Sequence, residues 1–230
     1  MKRHINNAKI RRIGCNALGN LACNHLDNQS TIAAAGGVAI LLQTMELPAK
    51  DVQMQNSGII IMACLAHNYP ANQTATSKAG GLNAVVEAMQ LHIKDANLQG
   101  SSCRAPRCLA FENVANQSAL AAKCVESVIV AMELYSNDAT VQHSGCFASS
   151  CLTQKHCENP PSSAADGYMQ PVLLAVQLHP SDAIVQQDGC VVISNTAQNH
   201  AENQSAIARS EGIKIVLTAM SKLRTDYPKV

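Results

Sequence analysis

One spacing constrains this chain more than any other feature, because the same block of residues returns along it at a nearly constant interval. The asparagines that open the block step by 44, 44, 43 and 44 residues, and they are Asn28, Asn72, Asn116, Asn159 and Asn203. A second series keeps the same interval, at Gln55, Gln99, Gln142 and Gln186. Self-similarity at a period of about 40–47 residues is typical of helical solenoids, in which each unit packs mainly on its neighbours. The interval therefore predicts a repeat protein.

The first part of each unit predicts a short helix that ends at glycine. Asn28 is a favoured N-cap residue, so it predicts a helix over residues 29–35. Gly36 and Gly37 follow, and glycine readily adopts the left-handed conformation that ends a helix. The break recurs at Gly80 and Gly81, and single glycines keep it at Gly167 and Gly212.

The rest of each unit predicts a second short helix and then a long one. In the first unit these helices cover about 38–47 and 52–67. An aspartate recurs where each long helix should begin, and suits a cap or first-turn position. These aspartates are Asp51, Asp95, Asp138 and Asp182.

The chain is therefore predicted to be a single array over residues 1–230. Residues 1–23 form a partial unit with only the third helix, and residues 199–230 form a partial unit with only the first and second helices. Four full units lie between them, at 24–67, 68–111, 112–154 and 155–198. Aromatic residues make up only 3% of the chain and Trp is absent, which predicts a core of Ala, Val, Ile, Leu, Met and Cys.

Two patterns carry a resemblance to the armadillo repeat family. Residues 16–22 read Asn-Ala-Leu-Gly-Asn-Leu-Ala, which is similar to the third-helix pattern of that family, and the Asn-Gln…Gly-Gly…Met blocks supply the first two helices. Together these patterns cover nearly the whole chain, although the third-helix pattern has drifted in later units. HEAT repeats are the near alternative, but the Gly-Gly break favours armadillo. The resemblance implies an all-α fold, a right-handed α-solenoid of armadillo-type three-helix repeats.

The long helices have two sides. In the second of them, apolar or small residues cluster on one side of a helical wheel, and Asn56, Ile60 and Cys64 fall opposite. Extended by the repeat interval, this second side predicts an exposed ladder of Arg12, Asn16, Asn20, Asn56, Ile60, Cys64, Gly100, Arg104, Cys108, His143, Phe147, Cys151, Gln187, Val191 and Asn195.

The resemblance implies that this ladder lines a concave groove that binds an extended segment of a partner protein. In the family, the asparagine that matches Asn20 and Asn195 bonds to the backbone of the bound segment. The ladder carries two arginines and no Asp or Glu, so we expect an acidic or neutral partner rather than a basic one. We expect Phe147, Arg104 and Asn195 to be the main anchors.

Other function classes find little support. A net charge of +1 gives no reason to expect nucleic acid as a partner. Cys146, Cys151, His156 and Cys157 lack the close spacing of structural zinc sites, and no catalytic or phosphate-binding motif is present. We expect no enzyme, metal, cofactor or small-molecule substrate. No apolar run reaches the roughly 20 residues of a membrane span, so the expected location is the cytoplasm or the nucleus.

A structural role remains the alternative. The array could be a spacer or a regulatory segment of a larger assembly or longer protein, with contacts through its ends or its convex face. Neither end carries a plainly polar capping unit, which solenoids normally need for solubility. This feature favours a segment of a longer array, and it leaves end-to-end self-association open.

Overall fold

The fold is known from a computed structural model, which describes residues 7–46, 51–153, 162–198 and 200–226. Every regular element within those ranges is an α-helix, so the predicted all-α class is confirmed. The helices are α1 (Ala8–Ala22), α2 (Leu26–Ala34), α3 (Gly37–Glu46), α4 (Val52–Ala66), α5 (Pro70–Lys78), α6 (Gly81–Leu91), α7 (Ala96–Ala110), α8 (Val114–Lys123), α9 (Val125–Leu134), α10 (Ala139–Leu152), α11 (Ser162–Leu178), α12 (Ala183–Ala197), α13 (Ala201–Arg209) and α14 (Gly212–Asp226). The predictions made for Asn159, His156 and Cys157 fall outside the described residues.

The long helices follow one another in a row. α1 packs on α4, α4 on α7, α7 on α10 and α10 on α12. The shorter helices pack on the long helix of their own unit and on the equivalent short helices of the next unit. One layer of the molecule is therefore built from third helices alone, and this layer carries the predicted ladder.

The aspartates cap the long helices as predicted. Asp51 accepts a hydrogen bond from the backbone N–H of Met54 at 3.1 Å, and Asp95 accepts one from Leu98 at 2.8 Å. Asp138 and Asp182 do the same at the starts of α10 and α12. Each carboxylate satisfies a backbone donor that the first turn of a helix leaves without a partner.

The predicted N-cap role of Asn28 is wrong. α2 begins earlier, at Leu26, and its N-cap is His25, whose Nδ1 accepts from the N–H of Asn28 at 3.3 Å. The side-chain amide of Asn28 instead donates to the carbonyl of Leu21 at 2.8 Å, at the end of the preceding long helix. The equivalent asparagines at 72, 116 and 203 donate in the same way to Leu65, Leu109 and Thr196. The repeated asparagine thus closes the long helix before it rather than opening the short helix after it.

The repeated amides also join one unit to the next. The amide of Asn72 donates to the backbone carbonyl of Gln29, and the amide of Asn116 donates to that of Gln73, at 3.1 and 3.0 Å. In return, Gln29 Nε2 donates to the carbonyl of Cys64 in the following long helix at 2.7 Å. These groups are buried, and buried polar groups need such partners. The residues that repeat along the sequence are therefore the ones that form hydrogen bonds between successive units.

The second amide series joins helices within a unit. Gln55 Nε2 donates to the carbonyl of Met45 at 2.6 Å, where the second helix of that unit ends. Gln99, Gln142 and Gln186 make the same bond in later units. Each glutamine therefore holds the start of a long helix against the end of the short helix before it.

The break predicted at Gly167 is absent, because α11 runs through it as one helix. Gly37, Gly81 and Gly212 stand nine residues after their anchor asparagines, and a Cβ at any of them would lie within 2.6 Å of a side-chain atom of the short helix before it. In the fourth unit Tyr168 stands at that position. A residue with a side chain cannot occupy so close a turn, and Tyr168 is buried within the continuous helix instead. The core thus contains an aromatic residue that composition did not predict.

Glycines on three of the long helices let the preceding helix of the same unit approach closely. A Cβ on Gly58 would lie 2.5 Å from Met45 Cγ, and one on Gly145 would lie 2.4 Å from Met132 Cγ. In the fourth unit a Cβ on Gly189 would lie 2.3 Å from Val176 Cγ2. In these three units an apolar side chain of the preceding helix therefore fits over a glycine of the long helix, whereas Ser102 holds the glycine position in the second full unit.

Candidate functional site

The structure divides the predicted ladder into three exposure classes. Arg12, Asn16, Asn20, Ile60, Arg104, Gln187 and Val191 are exposed, and Asn56, Cys64, His143, Phe147 and Asn195 are half-buried. Gly100, Cys108 and Cys151 are buried, so the prediction that they are exposed is wrong. The ladder residues that solvent reaches are called the long-helix face below.

The side chain of Arg107 contacts two aromatic rings and one of the buried cysteines, Cys151. Its guanidinium lies 3.9 Å from the ring centroid of Phe147 and 4.7 Å from that of Phe111. Its Nη1 lies 4.0 Å from the sulfur of Cys151 on the next long helix. A helical wheel treats each helix alone and therefore omits such contacts between helices. Contacts between helices therefore close the middle of the ladder.

A histidine and an aspartate join two long helices beside Phe147. His143 Nδ1 lies 3.0 Å from Asp188 Oδ2, and the His143 ring centroid is 5.8 Å from that of Phe147. Burial raises the pKa of Asp188, while His143 and then Arg107 act to lower it. Arg107, Phe147, His143 and Asp188 form one contiguous group on α7, α10 and α12, called the central cluster below.

Sequence reasoning missed Asp188, although a signal was present. The equivalent residues of the three preceding units are Ser57, Ser101 and Ser144, so an acid at this position departs from the repeat. The ladder itself holds no Asp or Glu, but the adjoining surface does. Arg104 is exposed on α7 and contributes positive charge to the long-helix face.

Two outer ladder residues already have partners in neighbouring long helices. Arg12 Nη1 donates to Gln53 Oε1 at 2.7 Å, and Asn195 Nδ2 donates to Thr153 Oγ1 at 3.2 Å. Each bond crosses from one long helix to the next. Asn195 therefore offers a partner its amide oxygen and its remaining N–H, rather than the whole amide.

The thiols of this region favour the protonated form. Burial raises the pKa of Cys64 to about 11, and the neighbouring thiols of Cys23 and Cys108 add to the effect. Burial also raises the pKa of Cys103 to about 12 and that of Cys108 above its usual value. Because the thiolate is the nucleophile and the metal ligand, these residues are poorly suited to either role at neutral pH. Within the described ranges, no three His, Cys, Asp or Glu side chains are placed to share a metal ion.

Comparison with known proteins supports the fold alone. The chain is similar to the crystal structure of an engineered protein, a target of the Northeast Structural Genomics Consortium, with a TM-score of 0.77. The two share 20% identity, and the match covers 95% of this chain and 89% of that chain. No protein-family model matches the chain, and no curated protein matches it at a significant level. In the part of the chain that the structure describes, no helix combines the length and apolar character needed to cross a bilayer.

Proposed function

We propose that this chain is a non-catalytic armadillo-type binding module. In this proposal the row of third helices is the inner layer of a right-handed α-solenoid, and its exposed side is a concave groove for an extended segment of a partner protein. The order of short, short and long helices in most units supports this architecture. The consecutive packing of α1, α4, α7, α10 and α12 supports it as well.

The central cluster is the observation that carries the binding proposal. The guanidinium of Arg107 lies over the rings of Phe111 and Phe147, and these contacts restrain it before a partner binds. A restrained side chain loses less entropy when it binds, and aromatic and Arg residues dominate the binding energy of many interfaces. Arg104 lies one turn away and is exposed. The pair offers donors to a carboxylate beside the half-exposed ring of Phe147.

The residues beside the cluster define the segment that it would accept. Exposed Ile60 and Val191 lie on α4 and α12, on either side of the arginines. Packed helices lie about 10 Å apart, and an extended chain advances about 3.4 Å per residue. A segment from α4 to α12 would therefore span about nine residues, with a carboxylate near its middle and apolar side chains toward its ends.

A library of ten-residue peptides, immobilised and probed with the purified chain, tests this proposal. We expect selection of peptides with a central Asp or Glu flanked by apolar residues, and at least a tenfold loss of affinity in Arg104→Glu, as measured by fluorescence polarisation. Arg209→Glu on α13 is the matched control, because Arg209 is also exposed but lies outside the long-helix face. Circular dichroism would establish that both variants fold. Equal binding by wild type and Arg104→Glu would exclude this groove as the binding site.

The structural alternative has its own supporting observation. Apolar side chains are exposed at the two ends of the row of units, at Ile13 and Leu21 on α1 and at Leu217 and Met220 on α14. Exposed apolar patches often mark contact surfaces. A spacer or regulatory segment with contacts through its ends would use them.

A further inference from the structure

Residues at core positions of the repeat are exposed at the two ends of the described row of helices. Within the described ranges, α1 is a third helix with no first and second helices packed before it, and α13 and α14 are a first and a second helix with no third helix packed after them. The repeat register identifies the interior counterpart of each end residue. It therefore tests whether the exposed apolar residues are ordinary surface positions or core positions.

The exposed face of α1 is made of core positions. Leu21 is 55% exposed, whereas Leu65, its counterpart one unit later, is 1% exposed. Ile10 corresponds to the fully buried Met54, and the exposed Ala17 corresponds to the buried Ile61. We call Ile10, Gly14, Ala17 and Leu21 the N-terminal face.

The exposed face of α14 has the same character. Met220 is 64% exposed, whereas its counterpart Met45 is 2% exposed. Ile213 and Leu217 are likewise exposed, and their counterparts Val38 and Leu42 are buried. We call Ile213, Leu217 and Met220 the C-terminal face.

The interior joints show how the two faces would fit. In three of the four, an apolar residue of the preceding helix lies over a glycine of the long helix, as Met45 does over Gly58 and Met132 over Gly145. Met220 stands at the position of Met45, and Gly14 stands at the position of Gly58. Each face therefore holds one half of the joint that the interior uses.

We propose that the C-terminal face of one copy binds the N-terminal face of a second copy, in the register of an interior joint. α13 and α14 of the first copy, as first and second helices, and α1 of the second copy, as third helix, then complete one three-helix unit. The contact joins two different surfaces, so each added copy presents a free C-terminal face again. Such a head-to-tail contact gives linear growth unless the curvature closes a ring.

The test uses sedimentation velocity on the whole chain over a concentration series, with two variants. Wild type is expected to shift from monomer to dimers and longer species as concentration rises. Ala17→Arg on the N-terminal face and Leu217→Arg on the C-terminal face should each remain monomeric, because each lacks one half of the joint. Mixed together, the two variants should form a pair and nothing larger, because only one intact joint can form between them.

Leu134→Arg on α9 is the matched control, since Leu134 is 54% exposed and lies in the middle of the array. This variant should associate as wild type does, and circular dichroism would establish that all three variants are folded. A monomeric wild type at every concentration would overturn the proposal. So would self-association of Leu217→Arg alone, a mixture that forms no pair, or a mixture that grows beyond two copies.

Discussion

Buried amide side chains make the contacts on which the repeat depends at the residue scale. Asn116 donates to the carbonyl of Leu109 at 2.6 Å and to that of Gln73 at 3.0 Å, so it links two units. Asn28, which is only half-buried, donates to Leu21 alone. The repeated asparagine therefore links two units in the interior of the array, whereas in the first unit it bonds only to the preceding long helix.

Replacement of these asparagines should measure the difference. Asn116→Ala leaves two buried carbonyls without their donor, and we expect it to lower the free energy of unfolding by about 2 kcal/mol. Asn28→Ala removes one bond in a more exposed place, and we expect a loss of about 1 kcal/mol. Urea denaturation of both variants checks this expectation. Equal losses would mean that the bond between units adds nothing to stability.

The pairing of His143 with Asp188 predicts a pH-dependent effect. Burial raises the pKa of Asp188 in the folded protein, so the stability linked to this group is present below its usual pKa of about 3.9 and declines as the pH rises through the folded-state value. His143 lowers that folded-state pKa. The substitution His143→Gln removes this lowering of the Asp188 pKa. The loss of folding free energy that the substitution causes should therefore grow between about pH 4 and neutral pH.

Thermal unfolding of wild type and His143→Gln at both pH values checks this prediction. The same comparison in an Asp188→Asn background is the control, because the growth of the penalty with pH should then disappear. A penalty that is the same at both pH values would show that His143 stabilises the fold by packing on Phe147 rather than through the carboxylate.

At the element scale, a glycine nine residues after the anchor asparagine accompanies the turn between two short helices in three units, whereas the third unit turns at Cys124 without a glycine. Gly81 allows the chain to turn between α5 and α6, since a Cβ there would lie 2.6 Å from Thr76 Cγ2 and 2.9 Å from Met62 Sδ. Tyr168 holds the same repeat position, and α11 passes through without a turn. Tyr168 therefore distinguishes the fourth unit from the units that turn at a glycine.

Two glycine substitutions should change stability in opposite directions. Gly81→Ala forces close contacts at the turn, and we expect a loss of about 1–3 kcal/mol. Gly100→Ala lies inside α7, where a Cβ would meet its nearest atom, Thr140 Cγ2, at an ordinary 3.5 Å. This change should stabilise the protein by about 0.5–1 kcal/mol, because Ala favours the helix more than Gly does. Chemical denaturation of the pair checks the signs, and a stabilising Gly81→Ala would contradict the account of the turn.

At the scale of the whole molecule, stability should vary along the array. In a linear stack, each unit is supported only by its neighbours. α7 and α10 pack on long helices on both sides, whereas among the described residues α1 packs on a long helix on one side only. Native-state hydrogen exchange should therefore show the strongest protection in α7 and α10 and the weakest in α1 and α14. Equal protection in α1 and α7 would mean that the array opens as one cooperative unit.

The sequence alone determined the features that arise within a single helix or turn. The aspartates predicted the starts of the long helices, the wheel of α4 predicted its buried side, and the repeat interval predicted the order of the units. These predictions succeed because caps and amphipathic periodicity depend on residues within a few positions of one another.

Only the tertiary structure decided the features that depend on a neighbouring unit. Asn72 bonds to a residue 43 positions earlier, Arg107 lies over Phe147, and Asp188 pairs with His143. Cys151 is buried for the same reason, although its own helix predicted exposure. The local pattern of a repeat describes a helix and its two sides, but the burial and partners of each side chain depend on the helices packed beside it.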